Sequence, residues 1–394
     1  MKWVSYRVVL FFFFALIISN VKAQDSCGLR ISLLTCTPGS ELYSVFGHNA
    51  LRIVDTAAGT DIVYNYGTFD FDDPDFYTKF VRGRLMYFLS QQSFPNFKYE
   101  YEYFKRGIIE QVLAFDCQEK LGIQARLFDN MQEQNRYYKY DFLKDNCTTR
   151  LRDIIFTSAS LKYDSIRLSY PVSFSYRDYL HTYLDRAKMA WTTLGIDLLL
   201  GLRADVKMSI YESMFLPDYL QKVVAQAKIG DKKLVLEEVI LVPDLQPIPT
   251  SLPPFYLPIF IFSILLAAMV TLGFSKKDAV KRYQHGFDKI LFLLTGLLGI
   301  LLLIMWVGTD HQSFGYNINI IWAFPLNVVF FFMLVKVNKS RLKLFKIYSI
   351  LTLVLLFISF IFPGTVSLSL IPLIILLSYR SWILSKNDEK SFNS

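Results

Sequence analysis

The sequence predicts an exported α+β domain followed by an all-α polytopic membrane domain with five transmembrane helices. Three observations predict this. The chain opens on basic residues and an apolar run. Residues 24–250 then mix Val-, Ile- and Tyr-rich stretches with helical patterns. Residues 255–384 are mostly long apolar runs. Of the 394 residues 53% are hydrophobic, and the mean hydropathy is +0.31. That length accommodates two domains, and the hydrophobic excess lies in the second.

Residues 1–23 read as a signal peptide: Lys2 and Arg7, an apolar core Val8–Ile18, then Val21-Lys22-Ala23 as a small-residue cleavage site. An uncleaved anchor helix is the other reading, and either exports residues 24–250. Gln24-Asp25-Ser26 is too polar for a lipoprotein signal ahead of Cys27. An exported domain permits disulfides. If Cys147 is a nucleophile, at most one bridge forms among Cys27, Cys36 and Cys117, and the pairing stays open.

Within residues 24–250, Ile31–Thr35 is a strand that Pro38-Gly39 ends. Ser44–Val54 and Asp61–Phe69 form a hairpin around a turn at Ala57–Thr60. Phe76–Gly83 and Phe97–Arg106 are helices, Ile108–Phe115 a strand, Glu119–Asn130 a helix and Tyr137–Phe142 a strand. Pro243–Pro254, rich in proline, is the linker to the membrane domain, residues 251–386. Residues 387–394 form a tail.

The predicted spans are Phe255–Phe274, Ile290–Val307, Ile318–Val335, Ile347–Phe362 and Val366–Leu384. Crossing a hydrocarbon core of about 30 Å takes about 20 residues. Pro363-Gly364 makes a tight turn between the last two. Lys276, Lys277, Lys281, Arg282 and Lys289 follow the first span. Lys336, Lys339, Arg341, Lys343 and Lys346 follow the third, and Arg380, Lys386 and Lys390 close the chain. Gly308–Asn317 has neither Lys nor Arg. The basic loops alternate to one side, which the positive-inside rule makes cytoplasmic. The +8 formal charge therefore reports topology, and nucleic acid is excluded as a partner. The outer loop places Asp310, His311 and Asn319 at headgroup level. They are either solvated loop residues or residues that face the exported domain and bind a lipid headgroup.

Chemistry concentrates in two motifs. Phe46-Gly47-His48-Asn49 heads an apolar strand, and Asp145-Asn146-Cys147-Thr148-Thr149-Arg150 heads a helix. Asn146 or Asp145 caps that helix. A thiol in a first helical turn feels the positive end of the dipole, and Arg150 adds charge, so Cys147 is a candidate nucleophile. The competing reading is a buried structural cysteine. The domain's histidines are His48 and His181. His181 has no motif around it and reads as structural, so His48 is the candidate base. A residue that orients the imidazole would come from the neighbouring strand, with Asn65, Thr68 and Asp70 as candidates. No Cys/His spacing suits a metal. Among Arg82, Arg84, Arg106 and Arg150, the last is favoured for binding a phosphate headgroup because it shares the cysteine motif.

The runs Leu33-Leu34-Thr35-Cys36-Thr37-Pro38-Gly39, Tyr43–Arg52, Tyr64–Phe71, Asp145–Asp153 and Phe215-Leu216-Pro217-Asp218 resemble the Lnb family of Bacteroidota. The resemblance covers nearly the whole chain. It implies a lipoprotein N-acyltransferase in the bacterial inner membrane, multi-pass, with its catalytic domain in the periplasm. The implied partners are a phospholipid acyl donor and a diacylated lipoprotein acceptor, and no cofactor is implied. Cys147 would be the nucleophile and His48 the base, with Asn65 or Asp70 orienting it. Arg150, Asn146, His311 and Asn319 would contact substrate. The His-then-Cys order is similar to the permuted papain-like group that includes lecithin:retinol acyltransferase, by analogy of fold. Two other readings use the same residues: a membrane-anchored cysteine peptidase or amidase, and a non-enzymatic membrane sensor in which Cys147 and His48 lie apart.

Overall fold

The computed structural model describes residues 27–159, 174–335, 340–362, 364 and 366–392, so the predicted signal peptide lies outside it. The exported domain holds β1 (Leu29–Cys36), β2 (His48–Asp55), β3 (Thr60–Thr68), α1 (Phe76–Val81), β4 (Met86–Ser93), α2 (Phe94–Tyr103), β5 (Ile108–Leu113), α3 (Cys117–Asn130), β6 (Tyr137–Lys139) and α4 (Cys147–Ser158). Then come α5 (Tyr176–Arg186), α6 (Ala190–Leu199), α7 (Ile210–Ser213), α8 (Pro217–Gln226), β7 (Lys228–Ile229), β8 (Lys232–Lys233) and β9 (Val235–Val242).

Seven strands make one sheet in the order β6-β4-β3-β2-β1-β5-β9, and β7 and β8 form a separate ribbon. Every pairing in the large sheet is antiparallel. β1 lies inside this sheet and is covered on both faces. Its odd residues Leu29, Ile31 and Leu33 pack into a core with α3, α4 and α8 residues such as Ile123, Leu151 and Leu220. Its even residues Leu34 and Cys36 join Phe97 and Tyr101 of α2. This is the period-2 alternation of a strand with two buried faces.

The predicted hairpin is present as β2–β3, with Asp55 opposite Thr60. Asp55 Oδ1 accepts the N–H groups of Ala57 and Ala58 in its turn, both at 2.9 Å. The predicted strand Ser44–Val54 begins only at His48. A turn carries residues 44–47, and Gly47 has φ of 79°. A Cβ on Gly47 would stand 2.8 Å from the Cys36 carbonyl oxygen, so only glycine admits the entry to β2. β4 was not foreseen; of its residues only Tyr87 and Leu89 are buried apolar, a short signal.

Arg52 ties three strands together. From β2 it bonds Asp61 of β3 at 2.6 Å and Glu110 of β5 at 3.2 Å, and it lies over the Phe94 ring.

The membrane half contains α9 (Pro258–Gly273), α10 (Asp278–Val307), α11 (Asn327–Val335), α12 (Ser340–Ile361) and α13 (Ile371–Phe392). Among the described residues three helices are long and apolar enough to cross a membrane: Asp278–Val307, Lys343–Ile361 and Leu368–Lys386. Pro258–Gly273 is a shorter apolar helix. The predicted third span, Ile318–Val335, is interrupted. Ile318–Ile321 is a 3-10 turn, and the regular helix begins at Asn327. Pro325, in the gap, has no N–H to continue a helix. Asn327 bridges the break, donating to Trp322 O at 3.3 Å, Thr295 Oγ1 at 3.1 Å and Tyr348 Oη at 2.9 Å. Lys281, Arg282 and Lys289, expected in a loop, lie on the early turns of α10. The predicted tail begins as a continuation of α13.

Replacing Arg52 with Ala strands the Glu110 carboxylate in the sheet. The expected cost is about 3–5 kcal/mol, read as a large fall in Tm of the purified chain.

Candidate thiol site

Cys147 is the first residue of α4, and Asn146 is its N-cap. The Asn146 side chain accepts from Thr149 N, and Thr149 Oγ1 accepts from Asn146 N, a reciprocal capping box. Asn146 Nδ2 also donates to the carbonyls of Phe142 at 2.7 Å and Phe215 at 2.9 Å. This side chain is fully committed to placing the turn. It leaves nothing for substrate, contrary to the sequence reading.

His48 opens β2, opposite Cys36 of β1. Its Nε2 pairs with Asn65 Oδ1 at 3.2 Å. The Cys147 thiol lies against this imidazole, and each favours the other's charged form. With Nε2–H given to Asn65, Nδ1 is the nitrogen left to face the thiol. Thiol, imidazole and amide thus form one chain drawn from α4, β2 and β3. Asn65 is the candidate that this imidazole meets. Asp70 is not: it is exposed in the loop after β3 and accepts from the Asp72 N–H at 2.9 Å. Thr68 instead pairs with Ser90 at 2.6 Å.

Burial of the half-exposed Cys147 works against its ionisation. The His48 charge and hydrogen bond, the Asn49 backbone N–H and the Thr148 hydroxyl outweigh it and hold the thiol below its ordinary pKa. Burial likewise disfavours a charged His48. Cys147 and the bond to Asn65 overcome that and raise its pKa. Both shifts favour a thiolate–imidazolium pair. Cys36 behaves in the opposite way. Burial pushes its thiol up to about 12 despite a bond to Tyr101, so it is inert.

Further residues wall the thiol. Gly67, at φ 90°, presents bare backbone to Cys147. A Cβ there would lie 3.4 Å from Cys147 Cβ and 4.0 Å from both Tyr138 Oη and Tyr140 Cε2. Tyr138 is buried, and its hydroxyl has no hydrogen-bond partner among the described residues. Its place in a tyrosine-rich stretch gave no sign of this. A cleft of about 420 Å3 opens beside the pair, lined by His48, Asn65, Gly67, Phe69, Tyr43, Gln91, Gln92, Glu100, Tyr101 and Arg106.

The remaining predicted contacts are structural. Arg150 grips Asp145 through two bonds of 2.7 and 2.8 Å and lies over the Tyr138 ring at 3.6 Å. His311 packs on Gly83 and meets the Phe80 carbonyl at 3.1 Å. Asp310 pairs with Arg84 at 3.1 Å and Lys139 at 2.6 Å. Asn319 is buried, donating to the Asp197 carbonyl at 3.0 Å and accepting from Trp322 Nε1 at 2.9 Å. The outer loop does face the exported domain, but as a docking surface. His181 is held by Asp197 at 2.7 Å. Among the described residues no cluster of His, Cys, Asp and Glu could hold a metal.

Residues 22–182 match a family model described as the Lnb N-terminal periplasmic domain. Residues 250–390 match the Lnb transmembrane domain. Nothing matches among curated proteins or among solved structures.

In wild type, the rate of Cys147 alkylation by iodoacetamide should titrate below the ordinary thiol value of about 8.5. In His48→Ala the opposing effect of burial dominates, and the midpoint should move upward. A midpoint unchanged by the substitution refutes the pairing.

Proposed function

The chain belongs to the Lnb family, and we propose that it is a lipoprotein N-acyltransferase of the inner membrane. In this reading five segments cross the bilayer, the interrupted Ile318–Val335 among them, and a permuted papain-like domain stands in the periplasm. The observation that carries the activity is the Cys147 thiol set against His48, which itself pairs with Asn65, at the edge of a cleft in a membrane-attached domain.

The Cys147 thiolate attacks the ester carbonyl of a phospholipid. The new S–C bond converts the carbonyl oxygen to an oxyanion. Collapse breaks the ester C–O bond, and the His48 imidazolium gives its proton to the departing lysophospholipid oxygen. The α-amine of a diacylated lipoprotein then attacks the thioester. His48 takes the ammonium proton, the amide forms and the thiolate returns. Asn65 holds the imidazole plane through both steps.

N–H groups of the first α4 turn face the oxyanion, aided by the helix dipole. The Tyr138 hydroxyl supplies a further donor. Burial raises its pKa, so it remains protonated and able to donate. An amine acceptor must outcompete water, and the Tyr138, Tyr140 and Gly67 wall covers one side of the thiol.

The test is mass spectrometry of a reporter lipoprotein's N-terminal peptide from cells carrying wild type or Cys147→Ala. An added acyl mass with wild type alone supports the reading. A free amine with both overturns it and favours a hydrolase. An added mass with both removes Cys147 as nucleophile. Tyr138→Phe should lower kcat by about 100-fold with little change in KM.

A further inference from the structure

The cleft beside His48 contains a cation whose hydrogen-bonding capacity is incompletely used. Arg106 follows Lys105, which turns the chain out of α2 at φ 57°. Its Nε donates to the Thr37 carbonyl at 2.9 Å, and its guanidinium lies 4.7 Å over Tyr101. Thr37 Oγ1 also accepts from Gly107 N at 2.8 Å. The fork is therefore fixed in one orientation. Its Nη2 is nevertheless buried with no acceptor among the described residues. Nearly all such groups in proteins are satisfied, and a charged donor is the costliest to leave open.

Of the other arginines considered for this role, Arg84 is engaged by Asp310 and Arg150 by Asp145. Glu100 lines the same cleft, is exposed, and forms no ion pair among the described residues. The cleft thus carries one anion and one cation that do not neutralise each other. The same lining includes the neutral polar residues Ser90, Gln91 and Gln92. His48 and Asn65 belong to the same wall. A simple anion would satisfy Arg106 but be repelled by Glu100. A ligand carrying both charges would satisfy the two.

We propose that this cleft binds a zwitterionic phosphoester headgroup, Arg106 taking the phosphate through Nη2 and Glu100 facing the ammonium. Its volume of about 420 Å3 suits a headgroup and glycerol. The proposal rests on the reading of a phospholipid as acyl donor, and it names the donor class: phosphatidylethanolamine over phosphatidylglycerol.

The test uses the full chain in detergent and diether analogues of both lipids. These have no ester to cleave, so they report binding whether or not acyl transfer occurs. The readout is protection of Cys147 from iodoacetamide. Diether phosphatidylethanolamine should slow alkylation about tenfold more than diether phosphatidylglycerol at equal concentration. Glu100→Gln should erase that preference and keep the protection. Arg106→Ala should lose protection by both lipids, and Arg106→Lys should retain part of it. Each variant's lipid-free alkylation rate and Tm show whether its fold is intact. Equal protection by the two lipids in wild type overturns the proposal, even should Arg106→Ala fail to fold. So does wild-type protection in a folded Arg106→Ala. Normal N-acylation of a lipoprotein without headgroup-selective protection sinks this inference alone and leaves the acyltransferase reading standing.

Discussion

The site depends on how the first turn of α4 is pinned. Asn146 caps the helix and in the same gesture holds the carbonyls of Phe142 and Phe215. Those carbonyls belong to the segments before α4 and before α8. One buried amide therefore fixes Cys147 relative to the sheet on one side and to the later helices on the other. An unsatisfied carbonyl in that position would cost about as much as the cap itself contributes, on the order of 1–2 kcal/mol. Small displacements of this turn would move the thiol out of reach of an imidazole that is itself held by a strand.

The strand end of the pair is equally constrained. Gly47 must take a positive φ with its α-carbon against Cys36, and β2 starts one residue later. His48 then lies at the margin of the paired stretch, where its ring reaches both Asn65 and Cys147. Burial alone would discharge both members of the pair. Their mutual contact reverses that, and each sustains the other's charged form. The pair is thus coupled, and its titration belongs to both groups.

Much of this was legible in the sequence because the informative residues are of types that local geometry demands. A histidine after glycine at a strand start and a cysteine after a capping asparagine each announce their own position. The β2–β3 hairpin followed from its Asp-Thr-Ala-Ala-Gly turn. Choosing Asn65 over Asp70 required the actual register, since β3 bulges between Asn65 and Thr68. His311 and Asn319 were legible as polar residues at meaningful places, but their Phe80 and Asp197 partners are remote in sequence. Asp197 lies 122 residues from Asn319, and such pairings leave no local trace. The interruption at Trp322–Leu326 was hidden because apolar content reports burial and says little about backbone continuity.

The Gly308–Asn317 loop has a mechanical consequence. Besides the proline-rich segment after β9, this loop ties the exported domain to the membrane half: Asp310 and His311 bond Arg84, Lys139 of β6 and Phe80 of α1, and Asn317 bonds the Leu198 and Leu199 carbonyls of α6. One attachment would leave the domain swinging on a leash. The added contacts make it a bracket. On the proposed reading, substrates embedded in the leaflet would travel to a stationary nucleophile. Depth of insertion in the bilayer, as well as chemistry, becomes a filter on what can react.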